Sequence, residues 1–219
     1  MELIDTHCHL TTLAKAEVDE VLARARQCSV LRMLCIGASE GVESAAQAVE
    51  LSKCHPEIWA SVGIHPHDAG KGLSLTTIES LAQDSRVLAI GETGLDYFRD
   101  WSPFEDQRTL FRETIALARQ VQKPLIIHCR DAEADTLRIL QEEKASEVGG
   151  VFHCYAGDAA LARQLSEMNF LVSFTGNITF KKAEAIRDVV KNVPLERIMV
   201  ETDSPYMAPE PHRGKPSEP

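Results

Sequence analysis

The chain has 219 residues, 44% hydrophobic and 26% charged, and its 33 acidic against 23 basic side chains give a formal net charge of −10. That composition suits one sizeable water-soluble core, and so acidic a chain is no high-affinity duplex binder, because neutralising phosphates takes clustered Lys and Arg. No apolar run approaches the roughly 20 residues that cross a bilayer, and "MELIDTHCHL" has neither a basic nor an apolar leader region, so a cytoplasmic protein without membrane contact is expected.

The first strand-like segment, "LIDTH" (3–7), is followed by "VDEVLARARQCSV", where Val18, Val21, Leu22, Ala25 and Cys28 share one helical face. "VLRMLCIG" (30–37), "IWASVGI" (58–64) and "VLAIGETG" (87–94) come next as strands. "SPFEDQRTLFRETIALARQVQK" then aligns Phe104, Phe111, Ile115, Ala118 and Val121, with Ser102 and Pro103 as a start signal. The series continues with strands "PLIIHC" (124–129), "GVFHCYA" (150–156), "FLVSFTG" (170–176) and "RIMVETD" (197–203), separated by further helical patterns. The strands are short and almost continuously apolar, as parallel strands buried on both faces are.

Eight strands alternating with helices, with no linker or repeat between them, predict a single α/β domain over 1–219, a TIM (β/α)8 barrel. The proline-rich "SPYMAPEPHRGKPSEP" after the eighth strand cannot form an ordinary helix, so the barrel is expected to lack its last C-terminal helix. None of the six cysteines lies in a C-x-x-C pair, and all are expected to be free thiols in a reducing compartment.

Catalytic groups of such barrels sit at the C-terminal strand ends. Strand one ends in Asp5, His7 and His9, strand three runs into His65 and His67, and strand four carries Glu92 and Asp96. Strand five ends in His128 and Arg130, strand six in His153, strand eight in Glu201 and Asp203. Six of the eight histidines fall at these ends, and imidazole with carboxylate suits Zn²⁺, Mn²⁺ and related ions. Strand alternation places His7 and His9 on one face and Cys8 on the other; the His128–Cys129 and His153–Cys154 pairs read alike, each as one inward ligand and one helix-packed thiol. Any one of these residues has an ordinary structural alternative: a hydrogen-bonded core histidine, an Asp203 that caps the "DSP" turn, an Arg130 paired with Asp131 or Glu133. Their number at one end of the barrel is what favours metal binding, with Asp5 as an orienting partner.

The stretches "IDTHCH", "GIHPH", "GETGLD", "PLIIHCRDA", "FHCYAG", "VETDSPYMAP" and "HRGKPSEP", in this order across nearly the whole chain, resemble the TatD-type metal-dependent hydrolases of the amidohydrolase-like barrels. The resemblance implies two divalent ions (Zn, Mn, Mg or Fe): His7, His9 and Asp203 on one, His128 and His153 on the other, Glu92 bridging. It also implies phosphodiester cleavage in DNA, including removal of nucleotides from 3′ ends. Family members usually continue past "RGKxNEP" into a closing helix; here Ser217 stands where Asn is common.

The expected enzyme is a hydrolase in which a metal-activated hydroxide attacks phosphorus. Asp203 and Glu92 are its catalytic residues, and His65, Arg130 and His67 are candidates to hold a phosphate, with Arg213 a weaker one. DNA ends, single strands or a small phosphoester would be the substrate. The alternative is hydrolysis of a small amide, ester or lactone; barrels doing that often bridge the ions with a modified Lys, where strand four here supplies Glu92. A non-catalytic metal-binding barrel is the third reading.

Overall fold

The computed structural model describes residues 1–39 and 41–219. Eight strands run β1 Leu3–Cys8, β2 Val30–Gly37, β3 Ile58–Val62, β4 Val87–Asp96, β5 Leu125–Arg130, β6 Gly150–Phe152, β7 Phe170–Phe174 and β8 Ile198–Val200. All pair in parallel in sequence order, β1 through β8. A parallel bridge from Cys8 to Ser204 joins the two ends, so the sheet forms a nearly closed TIM barrel. Among the described residues seven α-helices, α1 Lys15–Gln27, α2 Glu43–Cys54, α3 Leu75–Leu81, α4 Phe104–Val121, α5 Glu133–Glu142, α6 Ala159–Glu167 and α7 Glu184–Asn192, alternate with the strands.

Side-chain alternation divides the apolar residues into two layers. On β2, Leu34 and Ile36 join Ala89, Ile126, Val151, Leu171 and Met199 in a small cluster drawn from five further strands. Met33 and Cys35, one position off, pack in the larger cluster with the helices' Val18, Leu22, Ala48, Phe111, Ile115 and Leu165. The small cluster fills the barrel and the large one lies between barrel and helices, so strands facing both must be apolar throughout. No helix follows β8 among the described residues, and Val200 on that strand is 55% exposed.

Several elements end elsewhere than the periodicity predicts. β6 and β8 have three residues each, and shortly after each the chain passes through a left-handed residue, Cys154 (φ 44°) and Asp203 (φ 56°). Cys154 is therefore not on a helix-facing strand position; its Sγ lies 3.6 Å from Thr175 Oγ1 beyond the end of β7. Cys28 caps α1 and is exposed rather than part of its buried face. Ser102 does not cap α4: its hydroxyl donates to the His67 carbonyl (2.7 Å) and accepts from Gly70 N–H (3.0 Å), which ties the helix entry to the loop after β3.

Candidate metal centre

At the C-terminal rim the chain crosses from β8 to β1. The Asp203 N–H donates to the His7 carbonyl (2.9 Å), and the His9 N–H to Ser204 O (2.8 Å). Asp5 locks this junction. Its Oδ1 accepts from the N–H groups of Thr202 (3.0 Å) and His7 (3.2 Å), and its Oδ2 from the Thr202 hydroxyl (2.5 Å). His7 on β1, His9 just past it and Asp203 thereby converge. The two Nε2 atoms are 3.2 Å apart, and Asp203 Oδ1 lies 3.2 Å from His9 Nε2 and 3.6 Å from His7 Nε2.

Glu92 stands within β4 between Gly91 and Gly94. A Cβ on Gly94, whose φ is +133°, would lie 2.0 Å from the His128 carbonyl oxygen. Glycine therefore lets β4 approach β5 at the level where both carry their polar side chains. Glu92 Oε2 faces His7 Nε2 at 3.4 Å and His9 Nε2 at 4.0 Å. Oε1 faces His153 Nε2 at 2.8 Å, His128 Nδ1 at 2.9 Å and His65 Nε2 at 3.3 Å. His128 Nδ1 and His153 Nε2 are 3.4 Å apart. One carboxylate thus divides two groups of imidazoles, one oxygen to each.

Behind these groups stand further acids. Asp96 Oδ2 accepts from His128 Nε2 (2.9 Å) and His67 Nε2 (2.8 Å), while its Oδ1 accepts the N–H groups of Phe98 and Arg99. A proton on His128 Nε2 leaves its Nδ1 lone pair aimed at the Glu92 side, the arrangement that fixes a ligating tautomer. Glu201 accepts from Ser173 Oγ and Cys154 N–H, both at 2.6 Å, with His153 Nδ1 3.6 Å away. His65 Nδ1 accepts the His67 N–H (3.1 Å), so its Nε2 carries the proton that faces Glu92.

Five buried or nearly buried carboxylates, on Asp5, Glu92, Asp96, Glu201 and Asp203, surround the site, and among the described residues no Lys or Arg pairs with any of them. Burial pushes carboxyls up, and Asp5, despite its Thr202 bonds, is raised to about 6. At Glu92 burial is overcome by His153, His65 and the His128 bond, which hold it well below the usual range. Asp203 is lowered too, as the His9 hydrogen bond and the charges of His7 and His153 outweigh its burial. On the other side burial lowers His7 and takes His65 down to about 4, whereas carboxylate partners raise His128 and His153 against their burial.

Divalent cations fit this donor set. Two nitrogens each about 2.0–2.1 Å from a tetrahedral ion lie roughly 3.3 Å apart. The His7–His9 separation of 3.2 Å and the Asp203–His9 separation of 3.2 Å match that edge. Among the described residues Nδ1 of His7 and of His9 has no hydrogen-bond partner, so no protein group dictates which nitrogen of these two rings stays unprotonated toward the cluster, whereas His153 Nδ1 has Glu201 3.6 Å away. The atoms of His7, His9 and Glu92 lie within 4.8 Å of one another, as do those of Glu92, His128 and His153, and either set could hold an ion. His65, His67 and His128 also fall within that distance, but Asp96 already occupies the Nε2 atoms of two of them.

The structure thus brings together His7, His9, Glu92, His128, His153 and Asp203, and sets His65, His67 and Arg130 on the wall of the same cavity of ≈ 670 Å³. Arg130 pairs with neither Asp131 nor Glu133; its guanidinium lies over Phe98, 3.7 Å from the ring centroid. Arg213 likewise lies over a ring, Phe180, and does not line the cavity. Sequence reasoning passed over Asp96 and Glu201 as partners of the histidines. For Asp96 the signal was its spacing: positions 92, 94 and 96 share one face of a strand.

A parallel eight-stranded barrel with this cluster at its C-terminal rim has the architecture of a metal-dependent barrel hydrolase. The family model for TatD related DNase matches residues 4–219, and the chain belongs to that family. It is 42% identical over 220 residues to the metal-dependent hydrolase YabD of Bacillus subtilis, covering 99% of this chain and 86% of that protein. It is 33% identical to the 3′-5′ ssDNA/RNA exonuclease TatD of Edwardsiella piscicida, covering 91% and 78% of the two chains. The crystal structure of the TatD homologue YjjV from Escherichia coli superposes with a TM-score of 0.92 at 29% identity, covering 99% of this chain and 85% of that one. The chain is accordingly a metal-dependent hydrolase of the TatD family.

Proposed function

We propose that this hydrolase cleaves phosphodiesters, removing nucleotides from the 3′ ends of single-stranded nucleic acid with two divalent ions in its rim site. The observation that carries the reading is the division of Glu92, with Oε2 toward His7 and His9 and Oε1 toward His128 and His153. One ion would be held by His7, His9, Asp203 and Glu92, the other by Glu92, His128 and His153. The exonuclease activity named for the Edwardsiella relative supports the substrate class.

Bound divalent ions supply a water acidified toward neutrality and neutralise charge on phosphoryl oxygens. The protein's part is positioning and proton transfer. Asp203, kept ionised by His9 and His7, accepts the proton of the attacking water. The Arg130 guanidinium lines the cavity as a donor for the phosphate; the His65 Nε2–H beside it faces Glu92 Oε1 at 3.3 Å and would turn to the phosphate only when bound ions engage that carboxylate. His67 spends its Nε2–H on Asp96 and serves to hold that acid in place.

The test is a metal-stripped preparation reconstituted with Mn²⁺, Mg²⁺, Zn²⁺ or Fe²⁺ and offered 5′-labelled single-stranded DNA, duplex DNA, a chromogenic phosphodiester, and small lactones and amides. The expected result is metal-dependent shortening of the single strand from its 3′ end. Turnover of a lactone or amide with no phosphodiester cleavage would move the enzyme to the amidohydrolase class.

A further inference from the structure

Residues 97–103 leave the end of β4 and cross the rim beside the metal centre with side chains the centre does not use. Phe98 is 54% exposed and Trp101 63%, large apolar rings left in water where folding normally buries them. The Arg130 guanidinium lies over Phe98, and that of Arg99 is 5.4 Å from the Phe98 centroid and 5.2 Å from that of Trp101. Trp101 in turn meets the His67 ring edge-on, 4.4 Å between centroids. Arg99, Trp101 and Arg130 line the same cavity as Glu92 and Asp203.

Two further observations set this patch apart. On a chain of net charge −10, the arginines at 24, 26, 108, 112, 119 and 138 all pair with carboxylates. The guanidinium groups of Arg99 and Arg130 instead lie over aromatic rings, as those of Arg32, Arg86 and Arg213 do, and among the described arginines these two are the ones that line the reaction cavity. The segment is also held from beneath. Asp96 Oδ1 accepts the N–H groups of Phe98 (3.0 Å) and Arg99 (2.9 Å), and buried Gln107 donates to the carbonyls of Asp96 (3.1 Å) and Ser102 (3.0 Å). Exposed rings on a fixed backbone, beside cations at the mouth of a reaction cavity, are the makings of a stacking platform for unpaired bases.

We propose that Phe98 and Trp101 form a shelf on which a nucleobase adjoining the scissile phosphate stacks, with Arg99 taking the next backbone phosphate beside the scissile one that faces Arg130. The proposal rests on the nucleic-acid reading above and gives it a specificity: a base held in a duplex has no free face for the shelf, so single strands are preferred whatever their sequence.

The shelf is tested by digesting short single-stranded oligonucleotides with the metal-loaded wild type, Trp101→Ala and Trp101→Phe. Trp101→Ala is expected to raise KM about five- to hundredfold, the range for loss of one stacked base, with kcat within about twofold, and Trp101→Phe to recover most of the loss. On an oligonucleotide with an abasic tetrahydrofuran residue at the stacked position, wild type and Trp101→Ala should become equal. A penalty that stays the same on oligonucleotides abasic at each of the 3′-terminal positions overturns the shelf, as does no penalty at all. Fluorescence of the wild type and of Trp101→Phe, titrated with oligothymidylate in Ca²⁺, keeps this separate from the nuclease reading. If no DNA is cleaved, quenching present only in the wild type upholds the shelf. No quenching up to about 1 mM, the limit of weak specific binding, removes it.

Discussion

Asp203 meets His9 and His7 through one carboxylate oxygen, at 3.2 and 3.6 Å, and its own N–H is tied to the His7 carbonyl. Asn at this position preserves the backbone tie and the oxygen but cannot take a proton. Asp203→Asn should therefore keep the fold, read by circular dichroism and melting temperature, and lose at least about 100-fold in kcat. More than about 10% residual activity would remove the residue from the proton transfer. Asp96 acts one step back. Its Oδ2 accepts from both His67 and His128 while its Oδ1 accepts the N–H groups of Phe98 and Arg99, so an Asn amide, whichever way it is turned, sets its NH2 against one of these two pairs of donors. Asp96→Asn should weaken metal affinity about 10- to 100-fold, measured by chelator competition, with activity returning at excess metal. Failure of excess metal to restore it would place the defect elsewhere than in orienting His128.

At the scale of elements, what positions the acids is the close approach of β4 to β5. A side chain at Gly94 would collide with the His128 backbone at a φ that L-residues rarely adopt. Gly94→Ala should cost about 2–4 kcal/mol, combining overpacking and backbone strain, seen as a lower denaturant midpoint at unchanged slope. A loss under about 0.5 kcal/mol would mean that the strands separate freely. The apolar runs announced every strand, and β2 falls where they put it, because a strand buried on both faces writes its burial directly into composition. They overran at β6 and β8, where His153, Glu201 and Asp203 lie past the last paired strand residue, next to or at the left-handed Cys154 and Asp203, in segments that carry no periodic signal. The histidines and acids of the rim were legible because their residue types are costly in a core. Phe98 and Trp101 were not, since in sequence an exposed aromatic looks the same as a buried one.

For the molecule as a whole, the rim concentrates cost as well as chemistry. Among the described residues five carboxylates lie buried or nearly so without a Lys or Arg among their partners, and the groups facing them are imidazoles, of which His128 and His153 are raised by these acids. A divalent ion balances these acids without protons, and its site is built from β1, β4, β5 and the turns after β6 and β8, so binding reports on closure of the entire barrel. An ion that binds the folded state alone, at a thousandfold excess over its Kd, adds about 4 kcal/mol. In a domain of this size that corresponds to roughly 8–16 °C in Tm. The metal-stripped chain should melt lower by about this margin and recover on adding back one cation species. The same comparison in Glu92→Gln should show a much smaller gain, because the carboxylate shared by both groups of imidazoles is gone. An equal gain in the variant would show that the ions bind somewhere other than the rim.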